Sequence, residues 1–209
     1  IYLWVLAHVL PFIMMSIWMN AAAHAGGAGN AGSFSMTPVE YARYFLAVFI
    51  VRQFTAVWMI YEFESHIVEG RLSYYLLRPI NAIWHYVAAH IGEQMARFPF
   101  FAIVVIGFFL AYPAARWRLT FSEVVGGIIA IYAAFTLRFA LQYCFAMLTF
   151  WVERASSIDS LTFLPYLFLS GLVIPLADMP PAVAAAVRWT PFPYFIEESA
   201  HLVENISIF

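Results

Sequence analysis

From Ile1 to Met19 the chain carries no charged residue, Phe98 to Ala115 and Ser160 to Ala177 repeat the pattern, and Val124 to Val152 is broken only by Arg138. Uninterrupted apolar runs of this length constrain the fold more than any other feature. A helix rises about 1.5 Å per residue, so such runs approach the roughly 30 Å of a bilayer's hydrocarbon core. The surface helix of a soluble domain instead needs a charged face.

Composition agrees. Charged residues are 11% of the chain and apolar ones 64%, whereas a typical soluble domain is about 25% charged. So few charges cannot cover a soluble surface, and so much apolar content is incompatible with disorder. The formal charge of -2, without a basic cluster, argues against a nucleic-acid partner. A transmembrane barrel fails on segment length, because its strands are alternating stretches of about 10 residues. The expected class is therefore an all-α polytopic membrane protein, a single domain over 1–209, with the lipid bilayer as solvent.

Five spans are predicted, at about 1–19, 39–61, 92–113, 123–149 and 159–177. Pro11 should bend the first. Asn20 to Pro38, with Gly26, Gly27, Gly29 and Gly32, reads as a flexible aqueous loop. Thr37-Pro38 followed by Glu40 predicts a capped start for the second helix, and Thr120 with Glu123 predicts another. Residues 81–97 read as an interfacial helix leading into a span, and Pro99 and Pro113 interrupt the apolar run behind it. Pro113, Arg116 and Arg118 mark a turn, as do Glu153 to Asp159. Cys144, the only cysteine, excludes an internal disulfide and is expected to be a buried small side chain. The chain starts at Ile1 inside an apolar run and ends at Phe209 after a polar patch, so both ends are expected to be cuts in a longer protein. Arginines split almost evenly between the two sides, leaving orientation open.

Two segments carry candidate function. In 62–80, Glu62, Glu64, Glu69, Arg71 and Arg78 interleave with Phe63, Ile67, Leu72, Leu76 and Leu77. Short amphipathic helices fit this pattern, with Gly70 ending one and Ser73 capping the next. The segment is either an ordinary interfacial loop or a docking surface with apolar anchors and a charged rim. In the second segment Gly171, Pro175, Pro180, Pro181 and Pro191 break an apolar run. Broken helices persist in membranes only where protein or a cavity covers the freed backbone groups. A non-spanning hairpin over 178–194 and a plain wide turn both fit.

Charges inside the apolar runs form a third group. Glu93 and Arg97 are four apart and are expected to pair on one helix face. Arg52 and Arg138 should face protein or water, meeting either an acid or an anionic substrate or headgroup. His8 reads as a packing residue. Glu197, Glu198, His201 and Glu204 share a helical spacing and are expected at a membrane edge. They lack a third metal ligand, so neither catalytic nor metal residues are predicted.

Both segments resemble the permease subunit of a bacterial ABC transporter of the ABC-2 family. Glu69-Gly70-Arg71-Leu72 with Leu76-Leu77-Arg78-Pro79 is similar to the cytoplasmic loop of one ABC-2 branch. Ser170-Gly171 through Pro175, and Pro180 to Pro191, resemble the wider class signature before the last span. The resemblance implies an ABC-2 type exporter transmembrane domain, five spans visible of an expected six, in the bacterial cytoplasmic (inner) membrane. It implies a second permease copy or a homologous permease, and a separate ABC ATPase subunit that binds ATP and Mg, with no cofactor on this chain. It makes 62–80 the cytoplasmic coupling loop and 178–194 the outer re-entrant segment, with the first span running inside to outside. An ion-gradient-driven secondary transporter is the alternative. It would need ionisable groups near the membrane centre, and Arg52 and Arg138 give it weak support.

Overall fold

The structure, a computed structural model, describes residues 2–24, 34–117, 120–152 and 154–200, with side chains from Val9 onward. The His8 side chain, Gly26, Gly27, Gly29, Gly32, Arg118, Glu153, His201 and Glu204 lie outside the described residues.

The described chain is helical throughout. Helix α1, Tyr2–His24, stays helical through Pro11 and runs past the predicted end at Met19. Helix α2, Pro38–Thr55, opens at the predicted cap. The Thr37 amide donates to Glu40 Oε2 at 2.6 Å, and the Glu40 amide donates to Thr37 Oγ1 at 3.3 Å. Thr37→Ala is expected to cost about 1 kcal/mol, read as a lower unfolding midpoint in detergent.

The second predicted span departs from expectation. Helix α2 stops at Thr55, and α3, Met59–Val68, begins after a break at Ala56, Val57 and Trp58. Short helix α4, Leu72–Leu76, follows. Residues 81–97 do not form a separate interfacial helix. Helix α5, Ile83–Ala111, is continuous for 29 residues and passes through Pro99, a length of about 44 Å. A short 3-10 turn, Pro113–Ala115, then leads to α6, Phe121–Met147. The Thr120 amide donates to Glu123 at the start of α6, as predicted.

Helix α7, Ser156–Leu169, is only 14 residues long. At about 21 Å it is too short to cross a bilayer alone. Residues 170–175, predicted to be the end of a span, are not helical. A 3-10 turn Leu176–Asp178, helix α8 Pro181–Val187 and a further turn Pro193–Phe195 follow, and residues 197–200 are helical. Three segments among the described residues are long and apolar enough to span: Pro38–Val68, Ile83–Ala111 and Phe121–Phe150. Helix α1 is 23 residues long, and its side chains are described over Val9–His24. The predicted count of five is therefore not reached among the described residues.

Helix α2 is the centre of the packing. Its residues Tyr41, Tyr44, Phe45, Leu46, Ala47, Val48 and Val51 are buried on every side, as expected of a helix that is apolar all round. Helices α1, α5 and α6 pack on it. By contrast α5 leaves Phe100, Ile103, Ile106 and Leu110 exposed, the face a lipid bilayer would cover. A second core joins Met59, Ile60 and Phe63 to Leu72, Tyr86, Phe135, Phe139 and Ala146. Cys144 is exposed on α6 rather than buried as predicted, because lipid-facing positions are as apolar as core positions.

Candidate functional site

The segment after the α2–α3 break divides into an anchored half and a free half. Phe63 and Leu72 are buried in the second core. Leu76 and Leu77 are 67% and 86% exposed. Gly70, in the left-handed region at φ 70°, turns the chain between α3 and α4, a conformation that glycine adopts without a Cβ penalty. Ser73 does not cap α4 as predicted. It lies inside that helix, and its hydroxyl donates to the Gly70 carbonyl at 2.9 Å.

The predicted charges take different parts. Glu69 and Arg71 form an exposed ion pair beside Ser65. Arg78 lies 4.5 Å over the Tyr74 ring and donates to its hydroxyl at 2.8 Å. Glu62 is half-buried on α3. Glu64 turns inward, its carboxylate accepting from the Ser156 amide at 2.8 Å. It thereby joins the start of α7 to α3, a fixed structural contact.

Sequence reasoning missed the groups that hold the break above this segment. The Trp58 amide donates to His90 Nε2 at 2.9 Å, while His90 Nδ1 meets the Tyr86 carbonyl at 2.8 Å. These partners require the neutral tautomer with its proton on Nδ1. Gln94 Nε2 donates to the Phe54 carbonyl at 2.7 Å. Tyr86, His90 and Gln94 stand four apart on the buried face of α5. A polar stripe at that spacing in an apolar helix is the signal that could have found them.

The second segment, 170–178, is pinned by side chains from three elements. Trp18 Nε1 of α1 donates to the Val173 carbonyl at 3.0 Å. Tyr44 of α2 donates to the Gly171 carbonyl at 2.8 Å, and Tyr41 donates to Asp178 Oδ2 at 2.6 Å. Glu197 Oε1 accepts from the Leu176 amide at 2.7 Å. Freed backbone groups in this broken run are thus covered by protein, the condition a membrane imposes. Gly171 sits at φ 81°, and a Cβ there would collide with the Tyr44 hydroxyl and Glu197. Pro175 precedes the turn at Leu176–Asp178, Pro180 and Pro181 open α8, and Pro191 precedes the turn at Pro193–Phe195. Glu197, expected at a membrane edge, is buried in the protein at 2% exposure. Its neighbour Glu198 is exposed. The two point to different surroundings because adjacent helical positions lie about 100° apart.

Among the intramembrane charges, Glu93 and Arg97 pair as predicted. Arg138 of α6 stacks 4.2 Å over the Tyr166 ring of α7. Arg52 of α2 lies near both Arg138 and Tyr166. Glu93–Arg97 stands apart from them as a pair within α5.

A family model described as ABC-2 family transporter protein matches residues 32–189. No curated protein and no solved structure matches the chain. The family match covers well over half of the sequence, including residues 62–80, the segment 170–178 and the three spanning candidates, and the chain accordingly belongs to the ABC-2 family, as a multi-pass membrane permease.

Proposed function

We propose that this permease lines the translocation path of an ATP-driven exporter and receives its drive from a separate ATPase subunit through residues 62–80. The observation that carries the reading is the free half of that segment. Leu76 and Leu77 project without cover beside the Glu69–Arg71 pair and Arg78. An apolar anchor with a charged rim suits docking to a soluble protein. Anchoring through Phe63 and Leu72 makes the segment stiff enough to pass a push to α5 and α6.

In this reading 62–80 faces the cytoplasm of a bacterial cell and 178–194 lies on the outer side. A second permease copy or a homologous one completes the path, and ATP with Mg stays on the ATPase. The partner's closure on ATP moves α3 and α4, and the cavity between two permeases changes its exposure.

In a cysteine-free background of the full-length protein, Cys144→Ala included, cysteine replaces Leu77 and a short bifunctional reagent is added to membranes. The expected product is a covalent adduct with the ATPase subunit. Absence of that adduct, when the two proteins still purify together, contradicts docking through this segment.

A further inference from the structure

We infer that α7 is the strut that carries movement of the 62–80 segment to the pinned 170–178 segment, and that Glu64 is the positioning residue that fastens it. The inference rests on the coupling reading for the source of the push, and its test needs no ATPase.

The near end of α7 is tied to α3. Ser156 opens the helix, and its amide donates to Glu64 at 2.8 Å. That amide is one of the donors that a first helical turn leaves without an intrahelical acceptor. A carboxylate also suits the positive end of the helix dipole. Ala155, the residue before, is fully buried in the second core with Met59, Ile60 and Phe63 of α3. Glu64 belongs to the 62–80 segment itself, so a displacement of α3 draws the start of α7 with it.

The far end is tied to other elements. Helix α7 ends at Leu169, and two residues on the Gly171 carbonyl accepts from the Tyr44 hydroxyl at 2.8 Å. Trp18 holds the Val173 carbonyl, and Glu197 holds the Leu176 amide. Ser170 and Leu172 are fully buried, so the helix runs directly into a packed segment.

Between its ends α7 stays helical through Pro165 and is braced by α6. Gln142 of α6 donates to Asp159 at 3.0 Å, and Arg138 of α6 stacks over Tyr166. Leu161, Phe163 and Leu164 are exposed, the side that lipid would cover. A rigid element fixed at both ends to different neighbours is the kind of connection that carries energetic coupling between distant sites.

The test is hydrogen–deuterium exchange of the full-length permease alone in nanodiscs. Exchange is read at 156–160, at 170–176 and, as reference, at 121–125, the start of α6, where Phe121, Val124 and Val125 are exposed. Glu64→Ala is expected to speed exchange about tenfold at 156–160 and at least about threefold at 170–176, with 121–125 unchanged. Glu64→Gln keeps an oxygen acceptor for the Ser156 amide and is expected to restore both regions. Coupling is reciprocal, so Trp18→Phe, which removes the donor to the Val173 carbonyl, is expected to speed exchange at 156–160. This second variant decides the question if Glu64→Ala does not accumulate. A rise confined to 156–160 in Glu64→Ala, or to 170–176 in Trp18→Phe, overturns the strut, because a merely local contact gives that result. Equal acceleration at 121–125 overturns it as well, since the loosening then follows no path through α7. Failure of an ATPase to purify with the permease contradicts the coupling reading and leaves this result standing.

Discussion

Replacing Gly171 with alanine is expected to remove most of the folded protein. The backbone there is left-handed at φ 81°, which costs a residue with a Cβ about 1–2 kcal/mol. The added methyl would also meet the Tyr44 hydroxyl and Glu197. Those two groups hold the Gly171 carbonyl and the Leu176 amide. Displacing them leaves buried polar groups unmet, at roughly 1–3 kcal/mol each. The combined loss is about 3 kcal/mol or more, a large fraction of a typical fold's stability. The readouts are membrane abundance and the unfolding midpoint in detergent. Gly92→Ala is the matched control. Gly92 lies in α5, and a Cβ added there would have no neighbour within 4 Å, so that variant is expected to hold its midpoint or gain up to about 1 kcal/mol.

Aspartate at Leu77 is expected to have the opposite profile, with stability kept and function lost. The side chain is 86% exposed and touches no buried core, so the midpoint should move by less than about 0.5 kcal/mol. A charge in the apolar centre of a docking surface costs about 2 kcal/mol or more of binding. ATP hydrolysis by the assembled complex should then fall at least about tenfold at limiting subunit concentration. Leu72→Asp provides the contrast. Leu72 is buried at 8% exposure beneath the same segment, and its loss should lower both stability and hydrolysis. Equal hydrolysis by wild type and Leu77→Asp would remove Leu77 from the docking surface.

Local chemistry explains which parts of the fold are legible in the sequence. The starts of α2 and α6 are, because Thr37 with Glu40 and Thr120 with Glu123 act within one turn. The Glu93–Arg97 pair and the turn at Gly70 are legible for the same reason. The break at 56–58 is not. Ala56-Val57-Trp58 contains neither glycine nor proline, and the Trp58 amide and the Phe54 carbonyl ahead of the break are satisfied by His90 and Gln94 on another helix. Proline misleads at Pro99, since α5 remains helical through it. Hydropathy also exaggerates the last span. Residues 170–177 are apolar enough for a helix, but the Trp18, Tyr44 and Glu197 side chains hold them in another path.

Burial is the least legible property of the candidate site. In a bilayer an apolar residue suits lipid and core equally, so Cys144 reads as an interior residue and is exposed. The burial of Glu197 is not legible either, because the Leu176 amide that meets it lies 21 positions away. Glu64 reads as a rim charge in sequence, and only the approach of α7 turns it into a helix cap.

Coupling to a separate ATPase is the central claim, and purification of the full-length permease from its native membrane tests it most directly. The preparation is made in a detergent known to preserve transporter complexes, returned to lipid and assayed for ATP hydrolysis. The expected result is an ATPase subunit recovered in fixed ratio with the permease, hydrolysing ATP in lipid. A homogeneous permease with no ATPase and no hydrolysis under those conditions would contradict the claim and favour transport driven by an ion gradient.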